Sequence, residues 1–251
     1  RETCRLCNSK NVELVVELEP IPLSENYCDD AKTGRDADRY PVDLYMCADC
    51  GHVHQLDVVD SKSLWEAYTY YSNDAKGMPE HFDEIATKIM KSYPLSKGAI
   101  VIDIGSNDGS LLKPFKKAGY RVLGIDPATE IAKQATKDGI ETIPELMSLE
   151  IAEQVKKERG GADVICMFNA FAHADNMGEI ADSIKTMLSA EGVFIFEAQY
   201  LLDIIDRVLI ATIFHEHMSH HSVKPLTLFL DMHGLELIDI GRVNIQHGSL
   251  V

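Results

Sequence analysis

The stretch VIDIGSNDG, Val101 to Gly109, constrains the chain most. Its apolar run reads as a buried strand, and Asp103, Gly105 and Gly109 set a D-x-G-x-x-x-G pattern where that strand ends. A glycine there permits a tight turn and close backbone approach to a ligand, and the helix that follows offers unpaired N–H groups. A second strand, YRVLGID, ends in Asp126, at the spacing where a carboxylate can accept from both hydroxyls of a ribose. Together these features predict a nucleotide-cofactor site at a strand-to-helix turn.

From Gly98 onward strand-like and helix-like segments alternate: AIVIDIG, SLLKPFKKAG, YRVLGID, TEIAKQATKDG, ADVICMFN, MGEIADSIKTML and GVFIFEA. Alternation of this kind predicts βαβ crossovers, an α/β doubly wound parallel sheet with helices on both faces. Gly119 and Gly139 are expected to close the first two helices. Residues 61–97 read as a helical connector, with Phe82, Ile85, Ile89 and Met90 sharing one face. Before it, short β-like runs (VELVVEL, DLYMC, HVHQL) are broken by Pro, Asn and Asp. The expected domains are therefore 1–60, 61–97 and 98–251.

The six cysteines fall as two CxxC pairs, Cys4 with Cys7 and Cys47 with Cys50, and two singles, Cys28 and Cys166. This is no secreted disulfide framework, and in a chain of this size paired knuckles read first as metal ligands. Four thiolates close a tetrahedral Zn2+, leaving no vacant position, so the expected zinc is structural rather than catalytic. Such a staple suits a short N-terminal module with few apolar residues. His52 and His54 could substitute as ligands, although strand alternation also explains them. Cys28 and Cys166 read as small buried residues.

The formal net charge of -16 opposes any partner bound by broad neutralisation of phosphates, which argues against nucleic acid. A small anionic ligand needs only a helix N-terminus and a few cations. The chain has no run of eighteen apolar residues and no charged-then-apolar leader, so no membrane partner and a cytoplasmic location are expected. The oligomeric state is open, and a monomer is compatible with the sequence.

NAD would use much the same turn geometry. The dinucleotide fingerprint G-x-G-x-x-G is absent, however, and the D-x-G-x-x-x-G form favours S-adenosylmethionine. Further along, IATIFHEHMSHHS gathers His215, Glu216, His217, His220 and His221 within seven residues. A carboxylate beside imidazoles can hold a tautomer and raise basicity, as a general base for an acidic C–H requires. On spacing alone, a solvated helix start, core histidines or an incidental metal site reads ahead of a base.

In order and spacing, CRLC, LEPIPLSENY, YPVDLYMCADCGHVHQL, AYTYYS, VIDIGSNDGSLL, FNAFAH, FEAQYLLDII and FHEHMS resemble the sugar C-methyltransferases of nucleotide-sugar biosynthesis. The resemblance implies a Rossmann-type class I methyltransferase domain behind a small N-terminal zinc-binding domain. It also implies methylation at C3 of a nucleotide-linked 4-keto-deoxysugar. Carried over residue by residue, His217 falls on the base, with Glu216 beside it, Tyr70 on the tyrosine near the end of the zinc domain, and His173 on the histidine facing the sugar. Asp103, Gly105, Asn107, Gly109, Asp126 and Asn169 fall on cofactor positions, and Cys4, Cys7, Cys47 and Cys50 on the zinc ligands. Phe214 stands where the family usually has Tyr. The chain stops at HGSLV, where the family continues into a further C-terminal domain, which is expected to be absent here. Two other expectations stay in view: O- or N-methylation of another small molecule, and a non-catalytic protein that keeps the cofactor site.

Overall fold

The computed structural model describes residues 1–24, 27–60, 64, 68–245 and 248–251. The chain forms two compact units, one of residues 1–69, 172–178 and 198–250, the other of 70–171 and 179–197. Positions 61–63 and 65–67 of the expected connector, together with parts of LSENY and HGSLV, lie outside the described residues.

The first unit opens with β1 (Val12–Val16), α1 (Ala31–Arg35), β2 (Leu44–Cys47) and β3 (Val53–His54). Asp30 caps α1, its carboxylate accepting from the N–H groups of Lys32 and Thr33. The strands pair antiparallel, Met46 opposite Val53. Leu44 and Val53 lie buried with Leu201, and Ile213 packs against them.

The second unit carries α2 (Met78–Ser92), β4 (Ile100–Ile104), α3 (Leu112–Lys117), β5 (Arg121–Ile125), α4 (Thr129–Lys137), β6 (Thr142–Ile143), α5 (Leu149–Arg159) and β7 (Ala162–Phe168). Most of α6 (Met177–Met187) and β8 (Leu188–Gln199) completes it. Pro79 sits in the first turn of α2, where its missing N–H costs nothing. Met78, Phe82, Ile85, Ala86 and Ile89 form the buried stripe of that helix, while Met90 is only half-buried at its side. Every residue of β4 is buried, as a strand covered on both faces must be.

The strands of this unit run parallel in the order β8-β7-β4-β5-β6. The sequence-first strand β4 therefore lies in the middle, and the winding reverses between β4 and β7. This is a doubly wound Rossmann-type sheet, and its switch point is where such sheets hold ligands. The turns after α3 and α4 close at Gly119 and Gly139, as expected.

The chain then returns to the first unit through α7 (Leu201–Asp206), β9 (Ser219–His220), α8 (Val223–Met232), β10 (Arg242–Val243) and β11 (Ser249–Leu250). There β9 adds to β3 with Val53 opposite His220, completing a sheet in the order β1-β2-β3-β9. Leu250 and Ser249 of β11 pair with Ala198 and Gln199 at the end of β8. Among the described residues, no helix is long and apolar enough to cross a membrane.

Candidate functional site

In the second unit, the turn after β4 is built as its glycine spacing predicts. Gly105 takes φ +74°, and a Cβ on it would stand 2.5 Å from the Ala170 Cβ. Only glycine fits, and the bare backbone is what a nucleotide cofactor can approach. Gly109 takes φ +73°, and a Cβ there would meet Ile140 at 2.8 Å. Asn107, between them, is also left-handed at φ +48°.

Asp126 ends β5 beside this turn. Its Oδ2 accepts from the Asn107 N–H at 2.7 Å and its Oδ1 from the Ala128 N–H at 2.8 Å. Both oxygens thus shape the turn, and each retains a lone pair for a hydroxyl. Asn107 and Asp108 also hold the segment preceding α2: Asn107 Nδ2 donates to the Tyr70 carbonyl at 2.9 Å, its Oδ1 accepts from the Ser72 N–H at 2.9 Å, and Asp108 Oδ2 accepts from the Asn73 N–H at 3.0 Å. Tyr70 therefore sits beside the turn, its phenol pushed up by burial and then by Asp108.

Asp103 lies behind the turn, 3% exposed, and its Oδ1 has no hydrogen-bond partner among the described residues. Burial, and then the nearby Asp126, push its carboxyl up to about 8. Asn169, directly after β7, is left-handed at φ +54°, and its Nδ2 donates to Glu197.

In the first unit, FHEHM is a tight turn in which successive side chains meet different neighbours. His215 Nε2 lies 3.2 Å from the Tyr40 carbonyl. The buried Glu216 accepts from Ser24 Oγ at 2.7 Å. His217 Nδ1 lies 2.7 Å from the Thr212 carbonyl, and its ring stacks on His173 with centroids 5.1 Å apart. A carbonyl only accepts, so Nδ1 bears the hydrogen and Nε2 keeps its lone pair. Burial holds His217 down to about 4, outweighing the Thr212 contact, and holds His173 well below the usual range, with His217 adding to the effect. The Phe214 ring lies 4.0 Å from that of His217. The turn thus brings His173 and His217 together, while Tyr70 belongs to the other unit.

The four knuckle cysteines converge, their sulfurs all within 4.8 Å of one another. The Cys4–Cys50 and Cys7–Cys47 sulfurs are each 3.6 Å apart. Tetrahedral zinc with Zn–S of about 2.3 Å sets sulfurs roughly 3.8 Å apart, so the residues fit a closed structural ion. The two knuckles repeat one geometry: Asn8 N–H donates to the Cys4 carbonyl and Gly51 N–H to the Cys47 carbonyl, with Asn8 and Gly51 both left-handed. His52 and His54 stay outside this set; His52 Nε2 faces Ser219 Oγ at 3.2 Å. Cys166 is buried in β7 as expected, but Cys28 is exposed, against the expectation. It sits in an irregular stretch before α1, with no apolar periodicity to carry it inward.

Two groups escaped the sequence reading. Arg5, between the first two cysteines, is buried and pairs with Asp175 at 3.1 Å while donating to the carbonyls of Gln55 and Met218. Glu197 is fully buried and pairs with His81. No local pattern marks either, since their partners lie far along the chain.

Comparison with known proteins accords with this geometry. The family described as "Putative zinc binding domain" matches residues 4–65, and that described as "Methyltransferase domain" matches residues 78–240. The chain is 30% identical over 250 residues to the C-methyltransferase NovU of Streptomyces niveus, covering 100% of this chain and 60% of NovU. It thus spans less than two thirds of that relative's length. Magnesium protoporphyrin IX methyltransferase from Synechocystis, solved with bound SAH, has a TM-score of 0.53 at 17% identity, covering 69% of this chain and 81% of its own. A SAM-dependent methyltransferase from Anabaena variabilis has a TM-score of 0.52 at 16% identity, covering 66% and 81%.

Proposed function

The chain belongs to the methyltransferase-domain family, and on that premise we propose that it moves the methyl group of S-adenosylmethionine to C3 of a nucleotide-linked 4-keto-deoxysugar. The observation that carries this reading is the His217 tautomer, with Nδ1–H given to the Thr212 carbonyl and Nε2 left as a proton acceptor. An uncharged, buried imidazole with its lone pair fixed is suited to removing a proton from a carbon beside a ketone.

When bound, S-adenosylmethionine supplies a methyl group on a sulfonium, an electrophile that a carbanion can attack. The turn at Gly105 fits such a group because its left-handed glycine lets the backbone turn tightly after β4, where a side chain would strike Ala170 and displace the turn. Asp126 is the carboxylate for the ribose hydroxyls, Asn107 and Gly109 complete the turn that receives the cofactor, with Asp103 in the strand before it, and Asn169 joins them from the end of β7.

His217 Nε2 takes the C3 proton, and the electron pair left behind spreads onto the C4 oxygen. His173, whose ring stacks on that of His217, donates a hydrogen bond to that oxygen, without which an imidazole is too weak a base for the step. Glu216 flanks the base with its carboxylate oriented by Ser24. Held at the turn by Asp126 and Asn107, the donor would supply the methyl group for the carbon that His217 has deprotonated, its sulfonium becoming a neutral thioether. The four cysteines hold zinc in a structural role and take no part in the chemistry.

The test incubates the chain with isotope-labelled methyl donor and a nucleotide-linked 4-keto-deoxysugar, and reads the product by NMR. A C–CH3 signal at C3 is expected; an O–CH3 signal would replace this reading with oxygen methylation. His217→Asn should lower transfer by about 10²- to 10⁴-fold while S-adenosylhomocysteine binding holds within about threefold. Persistent turnover would remove His217 from the role of base.

A further inference from the structure

At the carboxyl ends of β7 and β8 lies a polar trio of which the chemistry above uses only Asn169. Glu197 in β8 is fully buried. Its Oε2 lies 2.7 Å from His81 Nε2, and its Oε1 accepts from Asn169 Nδ2 at 3.1 Å. His81 stands in the first turn of α2. The Asn169 backbone is tied to the same residue, its N–H donating to the Glu197 carbonyl at 2.8 Å. A buried carboxylate persists only where its lone pairs are met, and here donors from two distant parts of the chain meet both oxygens.

A carboxylate only accepts, so Asn169 must turn its amide nitrogen toward Glu197. Its carboxamide oxygen is thereby turned away. The next residue, Ala170, is the one whose Cβ excludes a side chain at Gly105, so this segment abuts the cofactor turn.

We propose that His81 and Glu197 are positioning residues of the methyl-donor site, locking the Asn169 carboxamide so that its oxygen serves as acceptor for the ammonium of the donor's amino-acid end. The inference rests on the reading that this turn holds an S-adenosyl compound. An unrestrained carboxamide exchanges its oxygen and nitrogen with little change of shape, and the exchanged form would aim N–H groups at the ammonium. Glu197 forbids the exchange. His81, by occupying the second oxygen, fixes the plane in which the first one faces Asn169.

Calorimetric titration of the chain with S-adenosylhomocysteine and with its deamino analogue reads the ammonium contact directly. The amine form is expected to bind about tenfold more tightly, which is ~1.4 kcal/mol. Asn169→Leu should erase that preference, so that the variant binds the two ligands equally. Glu197→Gln is isosteric but offers Asn169 an amide that can donate as well as accept, which frees the carboxamide to exchange and should cut the preference by about threefold or more. The double variant Asn169→Asp/Glu197→Gln again sets a donor against an acceptor and should restore it. His81→Phe should weaken the preference, and His81→Gln, which keeps an N–H donor, should recover it. Thermal unfolding of each variant separates a lost contact from a lost fold, since only the contact distinguishes the two ligands. Equal affinity for both ligands in the unaltered chain, or a preference that survives Asn169→Leu, overturns the positioning role and leaves the methyl-donor reading standing. No binding of S-adenosylhomocysteine to the unaltered chain overturns that reading, and this inference with it.

Discussion

His217 is held in a form that suits the proposed base and costs stability under acid. In the folded chain its pKa is near 4, against an ordinary value of 6.5, because burial disfavours the imidazolium. His220, held down to about 3, and His173 are depressed for the same first cause. The linkage has a definite sign. Above about pH 6.5 both states are uncharged and nothing is lost; as the pH falls below that, the unfolded chain binds protons that the folded chain refuses. Each such histidine then removes up to about 1.4 kcal/mol per pH unit until its folded pKa is reached. Two outcomes follow for measurement. The urea midpoint should fall steadily between about pH 6.5 and 4.5, and transfer rate corrected for the folded fraction should stay flat over that range. A corrected rate that halves near pH 6.5 would mean that the base titrates as an ordinary, exposed histidine.

At the scale of elements, the strand-turn-helix that begins with β4 is the proposed seat of the cofactor, and its glycines are not equivalent. Gly105→Ala forces a side chain into left-handed backbone and against Ala170, while Gly119→Ala meets the same backbone restriction with open space around it. Both should lose roughly 1 kcal/mol or more of stability from the backbone alone. Only Gly105→Ala should also displace the turn, weakening S-adenosylhomocysteine by about tenfold or more, while Gly119→Ala binds as before. Thermal unfolding with calorimetry separates the two effects; equal binding losses would show that the turn is not the cofactor's seat. This element was legible in the sequence because its parts are local: an apolar strand buried on both faces, glycines at fixed spacing, an acid ending the next strand. The His81–Glu197 pair was not, because its members lie 116 residues apart and neither belongs to a motif. The pairing of β3 with β9 was equally hidden, since two-residue strands rich in histidine leave no periodicity to read. The four cysteines were legible as a set, yet spacing says nothing of single thiols, which is why Cys28 is found outside.

At the scale of the whole molecule, a linear reading of the sequence divides the chain into consecutive stretches, whereas the compact units are discontinuous. Residues 198–250 group with 1–69 because β9 completes the sheet begun by β1, β2 and β3. Within that unit the zinc knuckle and the proposed base are physically linked. Arg5 lies between Cys4 and Cys7, and it donates to the carbonyls of Gln55 and Met218 while pairing with Asp175. Met218 directly follows His217 in the chain. Burying a guanidinium is costly unless such acceptors are held in place, and burial already draws Arg5 down to about 10. Stripping the metal would leave four thiolates to repel one another or take up protons, loosening the knuckle and with it Arg5. The expected result of a strong zinc chelator is therefore uneven. Methyl transfer should fall at least about tenfold, while S-adenosylhomocysteine binding at the doubly wound unit should stay within about threefold. About one zinc per chain should appear in solution as transfer is lost, and Cys47→Ser should reproduce the pattern without chelator. Full transfer after complete removal of zinc would show that the path from the knuckle through Arg5 to Met218 does not support the base.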